Sequence, residues 1–463
     1  MIKRVAKQRI DLCEGPFLRK IISYTVPIIL TSVLQLLFNA ADLVVVGQFE
    51  GNDDLGAVGA TGSLINLLVN LFMGLSIGAG VCVAQGIGAK DDSRVSRAVH
   101  TAIPAAIICG VFLTVVGIIF SPALLRMMDT PETVINLAAV YMRIYFAGII
   151  PILVYNFGAA ILRSAGDTKS PLIFLSIAGV INVLLNLFFV AVCDLSVAGV
   201  ALATTISQAF SCVLVLRTLM RRTDACKLHL KKMKIYGKTM KRIIQIGLPA
   251  GIQSSLFAIS NVMIQSSINS FGETVLSGST AASNIEGFVY VGMNSFQQTA
   301  TTMVGQNSGA RKYDNVGKIS LLCLACVTVT GIILGAGCYL LAPQLLPIYL
   351  SEGGDAIAYG ITRMSYVCLL YFMCGIMDVF SGILRGMGSS MVPMIVTILG
   401  ACGLRLVWIA TIFQENRTLG CLFLSYPISW IVTLSVLAVC FVFVWKKRVK
   451  LYKGGSYEPV LQN

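Results

Sequence analysis

Charge is what this sequence has least of. Asp, Glu, Lys and Arg make up 12% of its 463 residues, about half the share found in an ordinary soluble protein. Long polar intervals are missing too, because apolar runs begin near Ile21 and recur as far as Trp445. No separate soluble domain fits between them, which excludes a sensor or receptor built on a soluble output domain. Histidine is scarcer still. His100 and His229 are the only two, both in basic, polar-flanked segments, so any proton carrier within a bilayer has to be a carboxylate. HExxH and GxxxxGK[ST] are absent, which removes the usual marks of zinc proteases and P-loop enzymes; GxSxG occurs once, over residues 74–78, in the middle of an apolar run. The chain is read as a non-enzyme with no cofactor. The first apolar run contains Pro27 and no small-residue cleavage site, so it is read as a span and not as a cleaved signal peptide.

What is present is apolar: 56% hydrophobic residues and a mean hydropathy of +0.82. Most of the 14 cysteines are scattered through the apolar runs, and the one CxxC, Cys323 with Cys326, lies inside a run, so they read as small hydrophobes. A hydrocarbon core about 30 Å thick takes about 20 helical residues. Runs of that size lie near 21–47, 55–84, 98–121, 134–162, 170–192 and 196–220, and after a polar stretch near 243–270, 275–304, 316–343, 356–384, 391–412 and 419–445. These twelve runs predict an all-α membrane protein of twelve transmembrane helices. Expected domains are a six-helix bundle over 1–220, a basic cytoplasmic linker over 221–242, and a second six-helix bundle with a basic tail over 243–463.

Basic residues collect on the cytoplasmic side of a membrane. With both termini inside, all 35 Lys and Arg fall on inner segments except Arg126 and Arg417 in outer loops and Arg143, Arg363 and Arg405 within spans. The net charge of +14 is therefore a topology signal and not a nucleic-acid footprint. Acids such as Glu50, Asp53, Asp54, Glu352 and Asp355 fall on the outer side. The three arginines within spans lie in their outer parts, where they are expected to snorkel or to pair with outside acids.

The chain also repeats itself at a nearly constant offset. Gln85, Gly88 and Ala89 recur as Gln306, Gly309 and Ala310, and Pro27, Arg163, Gly166 and Pro171 recur as Pro249, Arg385, Gly388 and Pro393. Six crossings per half is an even number, so the halves enter the membrane in the same direction. Parallel repeats of this kind are related by an axis along the membrane normal, with substrate handled in a central cleft between them.

A carboxylate in the middle of a span costs roughly 2.5–3.5 kcal/mol on insertion scales, so each needs a reason. There are three: Asp42, Glu286 and Asp378. Gln35, Asn39 and Asp42 share a helical face by their spacing of four and three. Asp42, Asn186 and Thr204 lie at a similar depth, roughly 8–12 Å from the outer ends of their spans, with Asn182 one turn below Asn186. Together they read as a coupling-ion site for H⁺ or Na⁺, the one place where a metal ion is expected. Glu286 near mid-depth, with Tyr290 one turn on and Met293 beside it, and Asp378 on the tenth span, at the position of Asn156 in the first half, are substrate-contact candidates. Either acid could instead pair with an arginine within the membrane.

The stretches NAADLVVVGQF around Asp42, VAQGIGAK, MVGQNSGARKYDNV, LRSAGDTKSP and LRGMGSSMVP, in their order and duplication across nearly the whole chain, resemble the multidrug and toxic compound extrusion (MATE) family, on its bacterial DinF-like side. The resemblance implies export of organic cations in exchange for protons or sodium by alternating access, with Asp42 as the coupling aspartate and Asn182, Asn186 and Thr204 as its polar partners. Relatives often carry Asp where this chain has Asn186, so the site holds one negative charge fewer. The seventh span has no acid, unlike the NorM-like branch, and no sodium site is carried over to it. Implied with this are small organic cations and membrane lipid as partners, no nucleic acid, a monomer, and a multi-pass location in the cytoplasmic membrane. The alternative is a lipid-linked precursor flippase of the same superfamily, which needs a basic, headgroup-sized cavity; the core acids favour cationic cargo.

Overall fold

A computed structural model describes residues 11–49, 52–127, 132–193, 195–350 and 354–453; Glu50 and Glu352 lie outside them. Among the described residues all regular elements are helices. Nine of these helices are long and apolar enough to cross a membrane, and two further spans are each a pair of helices bent at a short break. The bends measure 48° between Ile135–Ala147 and Ile149–Ser164, and 46° between Gly354–Val367 and Tyr371–Gly386. Gly148 fills the first break, and a Cβ there would collide with the Thr205 side chain.

The helix Glu273–Gly309, 37 residues long, is less apolar than these spans and still has the length to cross. Its sequence is rich in Ser, Thr, Asn, Gln and Gly, and from Ser295 to Asn307 all residues but Gln298 are buried. Such a helix is covered by its neighbours instead of facing lipid, which relieves it of the need to be apolar.

The duplication is visible in the backbone. Gly166 and Gly388, equivalent in the repeat, both adopt φ of 82°, and the equivalent Lys90 and Arg311 take φ of 53° and 59°. The two glycines occupy the turns after Ser164 and Gly386, where a left-handed residue reverses the chain at no steric cost. In the first of these turns, Asp167 accepts hydrogen bonds from the Ser170 amide (3.0 Å) and hydroxyl (2.6 Å), starting the helix Lys169–Asn186.

Compact packing divides the chain into two units. The first contains Val26–Ile87 and Asp91–Ser255, the second Leu12–Thr25, Gly88–Lys90 and Leu256–Asn463. Two of the boundaries fall inside helices that carry a proline, Phe17–Phe49 with Pro27 and Gly237–Asn269 with Pro249.

Within the first unit, Gly74 and Gly78 meet Gly247 and Gly251 so closely that a Cβ on any of the four would run into the facing backbone. This is the small-xxx-small geometry by which membrane helices gain dispersion contact without a hydrophobic driving force. In the second unit the segment before the first helix is held by side chains. Asn307 Nδ2 donates to the Leu12 carbonyl (2.9 Å), Asn315 Nδ2 to that of Cys13 (3.2 Å), and Lys312 Nζ pairs with Glu14 Oε1 (2.8 Å). That lysine is the main reason the Glu14 carboxyl sits below its ordinary range.

The basic stretch 221–242 packs within the first unit. Cys226 and Leu228 are buried, Arg222 holds Asp224 through two bonds of 3.1 Å, and the His229 amide donates to His100 Nε2 (3.0 Å) while the two imidazoles stack at 6.1 Å. His100 Nδ1 lies 2.7 Å from the Ser96 carbonyl. With a proton on Nδ1, His100 donates to the Ser96 carbonyl and accepts from the His229 amide.

Two outcomes are expected. Replacing Gly251 by Val should separate the facing helices and destabilise the protein by about 1–3 kcal/mol, read as a lower thermal midpoint in detergent; an unchanged midpoint would contradict the close backbone contact. Desolvation, Lys227, Lys232 and His100 hold the His229 imidazole below its ordinary range. A depressed value means the folded form binds fewer protons, so the contribution is present above the unfolded pKa and fades as pH falls through the folded one. Amide exchange in 225–236, corrected for intrinsic rates, should speed up as pH is lowered from neutral through the histidine range, relative to the rest of the chain.

Candidate functional site

In the first unit, four of the six residues expected at the coupling site converge. Asn186, fully buried on the fifth span, donates through Nδ2 to Asp42 Oδ1 on the first and lies 3.4 Å from Asn182 Oδ1. Asn182 Nδ2 donates to Thr204 Oγ1 at 3.3 Å, and the Thr204 hydroxyl also bears on the Asp42 carboxylate. Tyr141 stands close enough to feel the charge on Asp42. The helical period brings Asn182 and Asn186 to one face, and the Asn186 side chain lies at the last turn before the chain enters a π-helical stretch, Leu187–Val192.

The cluster is rich in oxygen. Asn186 Oδ1 is buried and accepts no hydrogen bond, and among the described residues no arginine or lysine pairs with the carboxylate beside it. A carboxylate without a basic partner, two amide oxygens and a hydroxyl form the hard donor set that suits a proton or an alkali cation. Gln35 and Asn39 do not join it; both are exposed on the first helix.

The second unit is built differently. Glu286 is buried and paired with Arg363 through two bonds, Nε to Oε1 at 3.0 Å and Nη2 to Oε2 at 2.8 Å, and Arg363 Nη1 donates to Ser279 Oγ at 2.8 Å. Phe423 and Tyr426 flank the guanidinium, each with its ring centroid 5.9 Å away. Of the two roles open to Glu286, arginine pairing is the one it takes here. Arg363 and Arg405, expected to snorkel or to pair with outside acids, are instead 4% and 0% exposed; Arg363 pairs with the interior acid Glu286, and both find polar and aromatic partners inside the unit. Arg143 is exposed.

Asp378 is buried, with Tyr290, Asn294 and Arg385 as the groups that bear on it, and its Oδ2 accepts no hydrogen bond. Tyr290 stacks on Tyr371 at 6.3 Å. Met293 is fully buried, with its sulfur against Gly331 and Gly375, where it fills the space between helices. Pairing of Glu286 with an arginine within the membrane is one of the two readings open in the sequence; that the arginine is Arg363 is not legible there. The two lie on separate spans, and spacing along a chain says nothing of which face of one helix meets which face of another.

Removing one partner of a buried pair strands the other. Glu286→Gln alone is expected to destabilise by about 3–5 kcal/mol, while the double change Glu286→Gln with Arg363→Met costs less than either single change. Thermal unfolding of the three variants in detergent checks this; additive losses would argue against the pair.

Comparison with known proteins gives the same architecture. The family model described as MatE matches twice, over residues 27–188 and 249–411, and the two matches start as far apart as the internal repeat. The chain is 26% identical over 436 residues to the probable multidrug resistance protein YoeA of Bacillus subtilis (strain 168), covering 92% of this chain and 93% of that one. It is 25% identical over 405 residues to the probable multidrug resistance protein NorM of Thermotoga maritima, covering 85% of each. Among solved structures, the outward-facing conformation of a multidrug resistance MATE family transporter of the MOP superfamily aligns with a TM-score of 0.89 at 22% identity, over 96% of this chain and 99% of that one. A duplicated bundle of membrane helices, matched in both halves by one family model, makes this chain a member of the MatE family of multidrug efflux transporters.

Proposed function

We propose that this protein is an antiporter of the cytoplasmic membrane that exports organic cations in exchange for protons or sodium. The observation that carries this reading is the Asp42 cluster, a carboxylate without a basic partner among the described residues, next to the unpartnered oxygen of Asn186. The names of its relatives, multidrug resistance proteins, support small-molecule cargo. The distribution of Lys and Arg supports both termini in the cytoplasm, with the bundles 1–220 and 243–463 acting as the two lobes of a monomer and 221–242 as their basic connector.

In this scheme a cation taken from the cytoplasm is released outside when a proton or Na⁺ takes Asp42, and Asn182, Asn186 and Thr204 supply oxygens to whichever ion arrives. In the second lobe, cargo contact falls to Asp378 with Tyr290, while Glu286 serves as the counter-ion of Arg363 and Met293 as packing. Each charge moved inward across about 100 mV yields about 2.3 kcal/mol, and each pH unit about 1.36 kcal/mol. One proton exchanged for one monovalent cation moves no net charge and draws only on the pH difference.

Efflux of ethidium from proteoliposomes, with a proton gradient and a sodium gradient imposed separately, tests the reading. Export should follow one of the two gradients, and Asp42→Asn should bring it to the level of empty vesicles while the variant remains folded and inserted. Export that persists in Asp42→Asn would overturn the role given to this carboxylate. No export under either gradient would favour a lipid-linked cargo.

A further inference from the structure

Three arginines are buried inside the second unit, and one of them has no acid among the described residues. Arg363 is held by Glu286, and Arg385 and Asp378 lie within reach of each other's charge. Arg405 is 0% exposed, and its hydrogen-bond partners are neutral. Its Nε donates to Ser429 Oγ at 2.9 Å and its Nη1 to Asn261 Oδ1 at 3.3 Å. Around the guanidinium stand three rings, Tyr426 at 4.5 Å, Phe257 at 5.3 Å and Trp430 at 5.9 Å.

This cage is assembled from three elements of the unit. Arg405 comes from the short helix Leu404–Ala410, which follows the π-helical turn Ile398–Gly403. Phe257 and Asn261 lie on Gly237–Asn269, and Tyr426, Ser429 and Trp430 on Leu419–Lys453. Two donors in it are unused. Arg405 Nη2 and Trp430 Nε1 are both buried and both lack a hydrogen-bond partner.

Aromatic faces offset only part of the cost of taking a full charge out of water, because a cation–π contact stabilises much less than an ion pair at the same depth. The residues that form the cage carry no negative charge. A guanidinium N–H and an indole N–H, both unpaired and on neighbouring groups, form a donor set that lacks an acceptor. We infer that Arg405 Nη2 and Trp430 Nε1 bind a monovalent anion of the halide class, chloride being the species available to a cell.

The charge and size of the anion follow from the same setting. Burial cost rises steeply with charge, so a single guanidinium cannot hold a divalent oxyanion in a dry cage. A halide needs no directional lone pairs and accepts from the N–H donors. With the anion bound, Arg405 is neutralised as Arg363 is by Glu286. The site belongs to the second unit and shares no residue with the Asp42 cluster, so it does not depend on which ion drives transport.

The test uses the full-length protein in detergent at constant ionic strength and pH, with potassium salts throughout. Replacing gluconate by chloride or bromide should raise the thermal midpoint along a saturable curve, and sulfate should not. Trp430→Phe keeps the ring and removes one donor, so the anion concentration at half-effect should rise about tenfold or more. Arg405→Gln should abolish the dependence. Bromide-soaked crystals of the unaltered protein should show an anomalous peak within hydrogen-bond distance of Arg405 Nη2, a reading that needs no variant to fold. Identical midpoints in gluconate and chloride, a chloride effect undiminished in Arg405→Gln, or no bromide at Arg405 would each overturn the inference.

Discussion

Polar groups in the membrane-spanning part of this protein have to find their partners within the protein, because the solvent around the spans is hydrocarbon. Backbone groups meet this demand by forming helices. Side chains meet it by turning inward, which explains why Glu273–Gly309, too polar to pass as a span by hydropathy, is largely covered by its neighbours. The same demand sets how helices are held together. Without a gain from hiding apolar surface, contact comes from close approach, and the glycines at 74, 78, 247 and 251 permit it.

The demand is met in two different ways by two halves that repeat one another. Backbone features are shared between them: the left-handed glycines at 166 and 388, the left-handed basic residues at 90 and 311, the prolines at 27 and 249. The polar residues around Asp42 and the Glu286–Arg363 pair are not. At the offset that carries Pro27 onto Pro249, Asn182, Asn186 and Thr204 correspond to Leu404, Trp408 and Tyr426, while Arg363 and Glu286 correspond to Tyr141 and Leu64. Among the described residues, the first unit thus presents a carboxylate without a paired cation, and the second a set of buried arginines with one cation in excess of its buried acids. Turn geometry is constrained by sterics that any bundle of this topology shares, whereas a buried charge has only to be balanced by something nearby, and each half has its own balance.

This asymmetry bears on how cargo is read. Core acids in the sequence suggest a cation-binding interior in both halves. In the structure Glu286 is neutralised by two hydrogen bonds to Arg363, so it contributes little field to anything beyond that pair. Asp42 has no such counter-ion among the described residues, so its charge is not cancelled by a neighbouring cation.

By itself the sequence determined the spans, their duplication and the cluster around Asp42. Those features rest on local rules: the length of helix needed to cross hydrocarbon, the steric need for glycine at a left-handed turn, and the helical period that sets Asn182 one turn from Asn186. The tertiary structure decided which faces meet. Depth along a span can be counted from the sequence, but rotation about the helix axis cannot, because it depends on the packing of neighbours distant in the chain. Arg363 and Arg405 have the depth of snorkelling residues and the orientation of buried ones, and Gln35 and Asn39, a turn or two from Asp42, end up exposed. Whether a charged side chain meets lipid, a carboxylate or a cage of rings is fixed by that rotation, and only the assembled bundle supplies it.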